Sequence, residues 1–202
     1  MKGLVETVKK QGKYIVDLYN KVKSIEATTD SMPYKVYTAL LTQYGSDEAG
    51  TSISNGDLTI GVTYQIYDFG GAQDYDFTNV GAPNNNIETY FVATGTTPNS
   101  WGVGVGLVYV PSAPIVTVLE NTIGNIWFKY EGVGFYSVNS NGLFVTNKTY
   151  QNPINYCLPS DITEGYDFKI QDENAITLLV FQGGVTQDWS LVNLPIEIRV
   201  YN

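Results

Sequence analysis

Two incompatible periodicities meet at Pro33, and together they leave few folds open. Before it, Leu4, Val8, Gln11, Ile15, Leu18, Val22 and Ile25 recur in steps that alternate four and three. That rhythm holds a narrow, mostly apolar stripe on one face of an α-helix, as in a coiled-coil seam. After it, short runs of Val, Ile, Thr, Tyr and Phe are cut by Gly, Asn, Pro and Asp, the pattern of β-strands joined by turns. The expected fold class is mainly β: an N-terminal α-helix, read as a coiled coil, followed by an antiparallel β-sandwich with an inserted small β lobe.

In the helical segment 1–30, Leu4, Gln11, Leu18 and Ile25 take heptad position d, and Val8, Ile15 and Val22 take a. Gly12 costs about 1 kcal/mol in mid-helix, and Gln11 places an amide in the seam. So short a coil is marginal alone and needs a folded oligomeric domain to hold it. β-branched residues at a with Leu at d favour two strands, whereas Ile25 at d favours more, so dimer and trimer both stay open. The alternative is a single amphipathic helix lying on its own β-domain.

Thr28, Thr29, Asp30, Ser31 and Pro33 form a linker. Strands are expected at 34–43, 58–67, 89–93, 103–110, 115–119, 126–130, 134–138, 142–146, 168–171, 175–181 and 194–201. Asn141-Gly142 reads as a tight-hairpin dipeptide and Gly70-Gly71 as a weaker one. Within the β-domain 34–202, the segment 46–113 has Gly/Asn/Thr-rich loops and reads as the inserted lobe. The sheet core is then 34–43 plus 114–202.

Charge is unevenly spread. Residues 1–35 hold seven lysines against Glu6, Asp17, Glu26 and Asp30, a net of +3. Beyond them, Lys129, Lys148, Lys169 and Arg199 face 16 carboxylates, a net of −12. Such a β-domain repels phosphate backbones, so no nucleic-acid partner is expected. The early lysines read as a solvated helix face, with a surface for an acidic partner as the alternative. Cys157 is the single cysteine, which precludes an intrachain disulfide and reads as a small buried apolar residue. Lys9, Lys10 and Lys13 interrupt any signal-peptide core, and no window reaches the length of a membrane span, so folding in a cytoplasm is expected.

The residues of most enzymes are missing or unsupported. There is no histidine, which removes the usual base of Ser and Cys triads and the commonest zinc ligand. Asp68, Asp74 and Asp76 do not match an EF-hand and read as acidic turn residues. Glu131, Asp161 and Glu164 carry no motif of a glycosidase pair. Gly102–Gly106 (GVGVG) lacks the Lys-Ser/Thr ending of a phosphate loop and reads as a glycine-spaced strand. No enzyme, cofactor or metal is expected. The 16 tyrosines serve equally as strand residues and as binding surface. Trp101 and Trp189, in polar turns, are the candidate ligand-contact aromatics, while Trp127 reads as core.

The segments 34–43 (YKVYTALLTQ), 116–125 (VTVLENTIGN) and 196–201 (IEIRVY) resemble a β-domain common in virion proteins of tailed phages. It occurs especially in phages of Bacteroidota, including crAss-like phages, and in some marine phages. Between them, 61–67 (GVTYQIY), 76–82 (DFTNVGA) and 91–98 (FVATGTTP) resemble the module often inserted in those proteins. The resemblance frames nearly all of 34–202 and carries no catalytic motif. It implies a structural protein of the virion, normally oligomeric and usually trimeric. With no repetitive shaft, a head fibre or short appendage fits better than a long tail fibre. The expected partners are further copies of the chain and capsid, collar or tail proteins, with the β-domain projecting either as decoration or to adhere weakly to host-surface glycan. The alternative is a receptor-binding or carbohydrate-binding module of a tail fibre.

Overall fold

A computed structural model describes residues 13–21, 33–151, 164–188 and 191–202. The chain divides into two units between Tyr34 and Lys35. In the first, residues 13–21 form helix α1. The strands are β1 (Tyr34–Thr42), β2 (Thr51–Ile53), β3 (Thr63–Asp76), β4 (Tyr90–Val92), β5 (Ser100–Tyr109), β6 (Ile115–Asn121) and β7 (Trp127–Gly132). They continue with β8 (Phe135–Asn139), β9 (Thr149–Gln151), β10 (Glu164–Ile170), β11 (Ala175–Gln182), β12 (Val185–Thr186) and β13 (Leu194–Tyr201).

Two antiparallel sheets form the sandwich. One has the order β6-β1-β13-β9, and the other β10-β11-β8-β7 with β12 on β11. Period-2 alternation aims Tyr37, Ala39 and Leu41 of β1 and Ile196, Ile198 and Val200 of β13 inward. They meet Phe128, Tyr136, Val138, Ile176 and Leu178 of the second sheet in one core. Burying each such side chain contributes about 1.5–3 kcal/mol. Trp127 joins this core, as its apolar neighbours predict.

The third sheet, β2-β5-β3-β4, lies wholly within 46–113 and has its own core of Leu58, Tyr64, Ile66, Phe77, Phe91 and Leu107, among others. It is tied to the sandwich by hydrogen bonds. Phe128 N–H donates to Thr63 Oγ1 (3.2 Å), Asn125 Nδ2 to the Tyr90 carbonyl (2.7 Å), and Val116 N–H to the Gly61 carbonyl (2.9 Å).

Two turn expectations fail for tertiary reasons. Gly70-Gly71 is not a hairpin: β3 runs through it, and residues 69–72 bulge opposite Gly104 while pairing with β5 resumes at Gln73. Asn141-Gly142 joins no paired strands, and 142–146 is irregular, bending backbone rather than strand. Its backbone is held by the β10–β11 loop, with Ser140 N–H donating to Asn174 O (2.7 Å) and Phe144 N–H to Glu173 O (3.0 Å). This seats Phe144 in the core.

Candidate functional site

Helix α1 brings Ile15 and Leu18 onto one side, three residues apart, and they are 65% and 53% exposed. Every described residue of α1 is exposed. The other stripe positions (Leu4, Val8, Gln11, Val22 and Ile25) lie outside the described residues, as do Trp189, Cys157 and Asp161.

Trp101 is half-buried, and its indole is engaged within the insert. It meets Phe77 edge-on, with centroids 5.3 Å apart, and Nε1 donates to the Gly56 carbonyl (3.2 Å). The surrounding 76–82 segment is a polar clasp. The Asp76 carboxylate accepts from Thr78 N–H (2.9 Å), Thr78 Oγ1 (2.6 Å), Asn99 Nδ2 (2.9 Å) and Asn85 Nδ2 (3.2 Å). These donors, Thr78 first, hold its carboxyl far below the usual carboxylate range. Asn79 completes the closure, donating to the Thr97 carbonyl and accepting from Asn99 N–H, each at 2.9 Å. Gly81 has φ +112°, and a Cβ there would stand 2.6 Å from the Val92 carbonyl, so only glycine fits. The DFTNVGA segment is thus explained by its own folding.

The remaining acidic candidates serve the backbone too. Asp68 Oδ1 caps the N–H groups of Gly70 (2.6 Å) and Ala72 (3.2 Å), and Glu131 accepts from Ser137 Oγ (2.6 Å). Among the described residues, no three Asp, Glu or Cys side chains gather to hold a metal ion.

At one end of the sandwich, Asp188 ties strands together. It accepts from Tyr130 Oη (2.7 Å), Gly134 N–H (2.9 Å) and Gln43 Nε2 (3.3 Å), and Tyr136 Oη donates to Gln43 Oε1. Burial first, then Asp188 (through its hydrogen bond at Tyr130 and its charge at Tyr136), pushes both tyrosine hydroxyls well above their usual range. Such groups stay protonated, and this suits a fastening rather than a base.

Where the insert meets β7, a cleft of about 210 Å³ opens, lined by Gln65, Tyr90, Val108, Tyr109, Phe128 and Lys129 among others. Lys129 Nζ lies 4.3 Å from the centre of the Tyr90 ring, a cation–π contact. Tyr90 in turn stacks on Trp127. Of the basic residues beyond Lys35, Lys129 is the one that lines this cleft.

No family model, curated protein or solved structure matches this chain.

Sequence reasoning singled out Trp101, which is engaged internally, and passed over Tyr90 and Lys129. The available signal was the alternation of Lys129 with Phe128 and Tyr130, which sets it on the outer face of a strand.

Proposed function

We propose that the chain is a non-enzymatic structural subunit of a tailed-phage virion, a homo-oligomeric head fibre or short appendage. Its N-terminal helices associate in parallel through the Ile15–Leu18 stripe and dock on capsid, collar or tail proteins. The β-domain projects outward for decoration or weak adhesion to the host surface. Trimer is favoured over dimer. Assembly follows synthesis in the host cytoplasm.

The observation that carries this reading is the exposure of Ile15 and Leu18 on the helix. Apolar residues at seam spacing gain by burial against equivalent copies. The resemblance to virion β-domains is supported by where its segments fall. Those at 34–43, 116–125 and 196–201 contribute β1, β6 and β13, neighbours in one sheet. The segments 61–67, 76–82 and 91–98 meet in the insert.

Light scattering on the full chain, beside the double variant Ile15→Asp/Leu18→Asp, tests the proposal. An oligomer that falls to monomer in the variant is the expected result. An unchanged mass would refute association through the helix. A receptor-binding or carbohydrate-binding module is the second reading, favoured by the cleft beside Lys129.

A further inference from the structure

Strand pairing decides which side chains share the face of the insert sheet that leads into the cleft. Ser52 pairs with Val108, Val108 with Gln65, and Gln65 with Tyr90, forming a row across β2, β5, β3 and β4. One dipeptide step along β3, about 7 Å away, Tyr67 pairs with Gly106 on the same face. Gly106 offers no side chain, and the Phe69 ring takes that space: a Cβ there would lie 2.0 Å from Phe69 Cε2. Phe69 is thus laid against bare backbone beside Tyr67, their rings edge to face with centroids 5.3 Å apart. Seated in this way, Tyr67 remains 46% exposed and Phe69 52%. The surface runs from Phe69 through Tyr67 to Gln65, Tyr90 and Lys129.

Each part of this track has a chemical preference. Aromatic faces carry negative quadrupole density and attract the positively polarised C–H faces of sugar rings. Gln65 and Ser52 offer amide and hydroxyl groups to sugar hydroxyls. Among the described residues, no carboxylate lies within ion-pair distance of Lys129. The chain beyond residue 35 carries −12, which repels polyanions yet leaves this one ammonium to pair with a single carboxylate. The cleft, at about 210 Å³, is smaller than the roughly 300–1,000 Å³ of pockets for drug-sized ligands and suits one sugar residue.

We propose that this face is a groove for a short oligosaccharide bearing a carboxylated sugar, its rings on Tyr67 and Phe69 and its carboxylate at Lys129. The inference deepens the adhesive part of the function proposed above and rests on it.

The test is calorimetric titration of the full chain with singly acidic probes and their neutral counterparts: cellobiouronate against cellobiose, and sialyllactose against lactose. At least one acidic member should saturate, at least tenfold tighter than its neutral counterpart. Tyr67→Ala with Phe69→Ala should weaken it at least tenfold. Lys129→Gln should erase the difference between acidic and neutral forms. Tyr150→Ala, an exposed tyrosine on β9, should change nothing. Because both rings are exposed, the double variant should keep the parent melting temperature. No saturable binding by any probe, or binding indifferent to Tyr67 and Phe69, would overturn the groove. So would a fall in assembled mass in that variant, which would make the face a contact between copies. Light scattering separates the two proposals: an oligomer lost with Ile15→Asp/Leu18→Asp but blind to sugars sinks the groove alone. A monomer that binds sugar sinks the helical assembly alone.

Discussion

Tyr90 lies almost parallel to Trp127, with ring centroids 5.6 Å apart and 9° between the planes. One ring belongs to the insert and the other to the sandwich, so the pair joins two sheets with separate cores. Lys129, two residues on from Trp127, caps the same Tyr90 ring. The contact that fastens the insert therefore also builds the floor of the cleft.

A double-mutant cycle on this pair, Tyr90→Leu with Trp127→Leu, should return a coupling of about 0.5–1.5 kcal/mol in urea denaturation. Truncating Trp127 to Ala should cost about 3–5 kcal/mol. Additive single effects in the cycle would mean that the rings merely touch and that the hydrogen bonds at Thr63 and Asn125 hold the insert.

Asp76 makes the insert sensitive to acid. Its folded pKa is depressed by donors from Thr78, Asn99 and Asn85, so the carboxylate stabilises the fold above the unfolded value of about 3.9. That contribution is lost as pH falls below about 4 towards the folded value. Melting followed by tryptophan fluorescence between pH 6 and 2 should show a steeper acid loss in the parent than in Asp76→Ala. Parallel curves would show that the clasp does not depend on this charge.

Two buried tyrosines should respond oppositely to losing their hydroxyls. Tyr130→Phe removes a hydrogen bond to a carboxylate and should cost about 1.5–3 kcal/mol. Among the described residues the buried Tyr37 hydroxyl has no hydrogen-bond partner, so Tyr37→Phe should be neutral or stabilising. Equal losses in chemical denaturation would contradict the difference in their surroundings.

These two tyrosines, together with Tyr136, set an alkaline limit. Tyr37, Tyr130 and Tyr136 all have raised pKa values, from burial foremost, so their stabilisation is complete below the unfolded value of about 10. Above it the unfolded chain releases protons that the folded chain keeps, and stability falls as pH rises. Tyrosinate absorbance should therefore show these three ionising only together with unfolding. Ionisation in a still-folded chain would show that water reaches them.

Much of the β-architecture was legible locally. The expectations at 34–43 and 194–201 became β1 and β13, because their alternation already separates a buried from an outward face. The segment 46–113 encloses all of β2 to β5. The short strands β2 (TSI), β9 (TYQ) and β12 (VT) were not legible, since so few and largely polar residues give no strand signal, whereas the equally short β4 (YFV) is apolar throughout. The Gly70-Gly71 bulge likewise depends on Gly104, far along the chain. Trp101 read as exposed because its neighbours are polar, yet Phe77 and Gly56 engage it.

By itself, then, the sequence determined the helix preceding Pro33, the run of short antiparallel strands and the acidic character of the β-domain. These follow from near neighbours: period, turn chemistry and charge. Only the tertiary structure decided that β1 lies between β6 and β13, that Asp76 closes a loop with Asn99, and that Phe69 rests on Gly106 beside Tyr67. Those contacts join residues far apart in the chain. Alternation states that a strand has two faces, whereas burial against distant partners decides which face is covered and which remains open to a ligand.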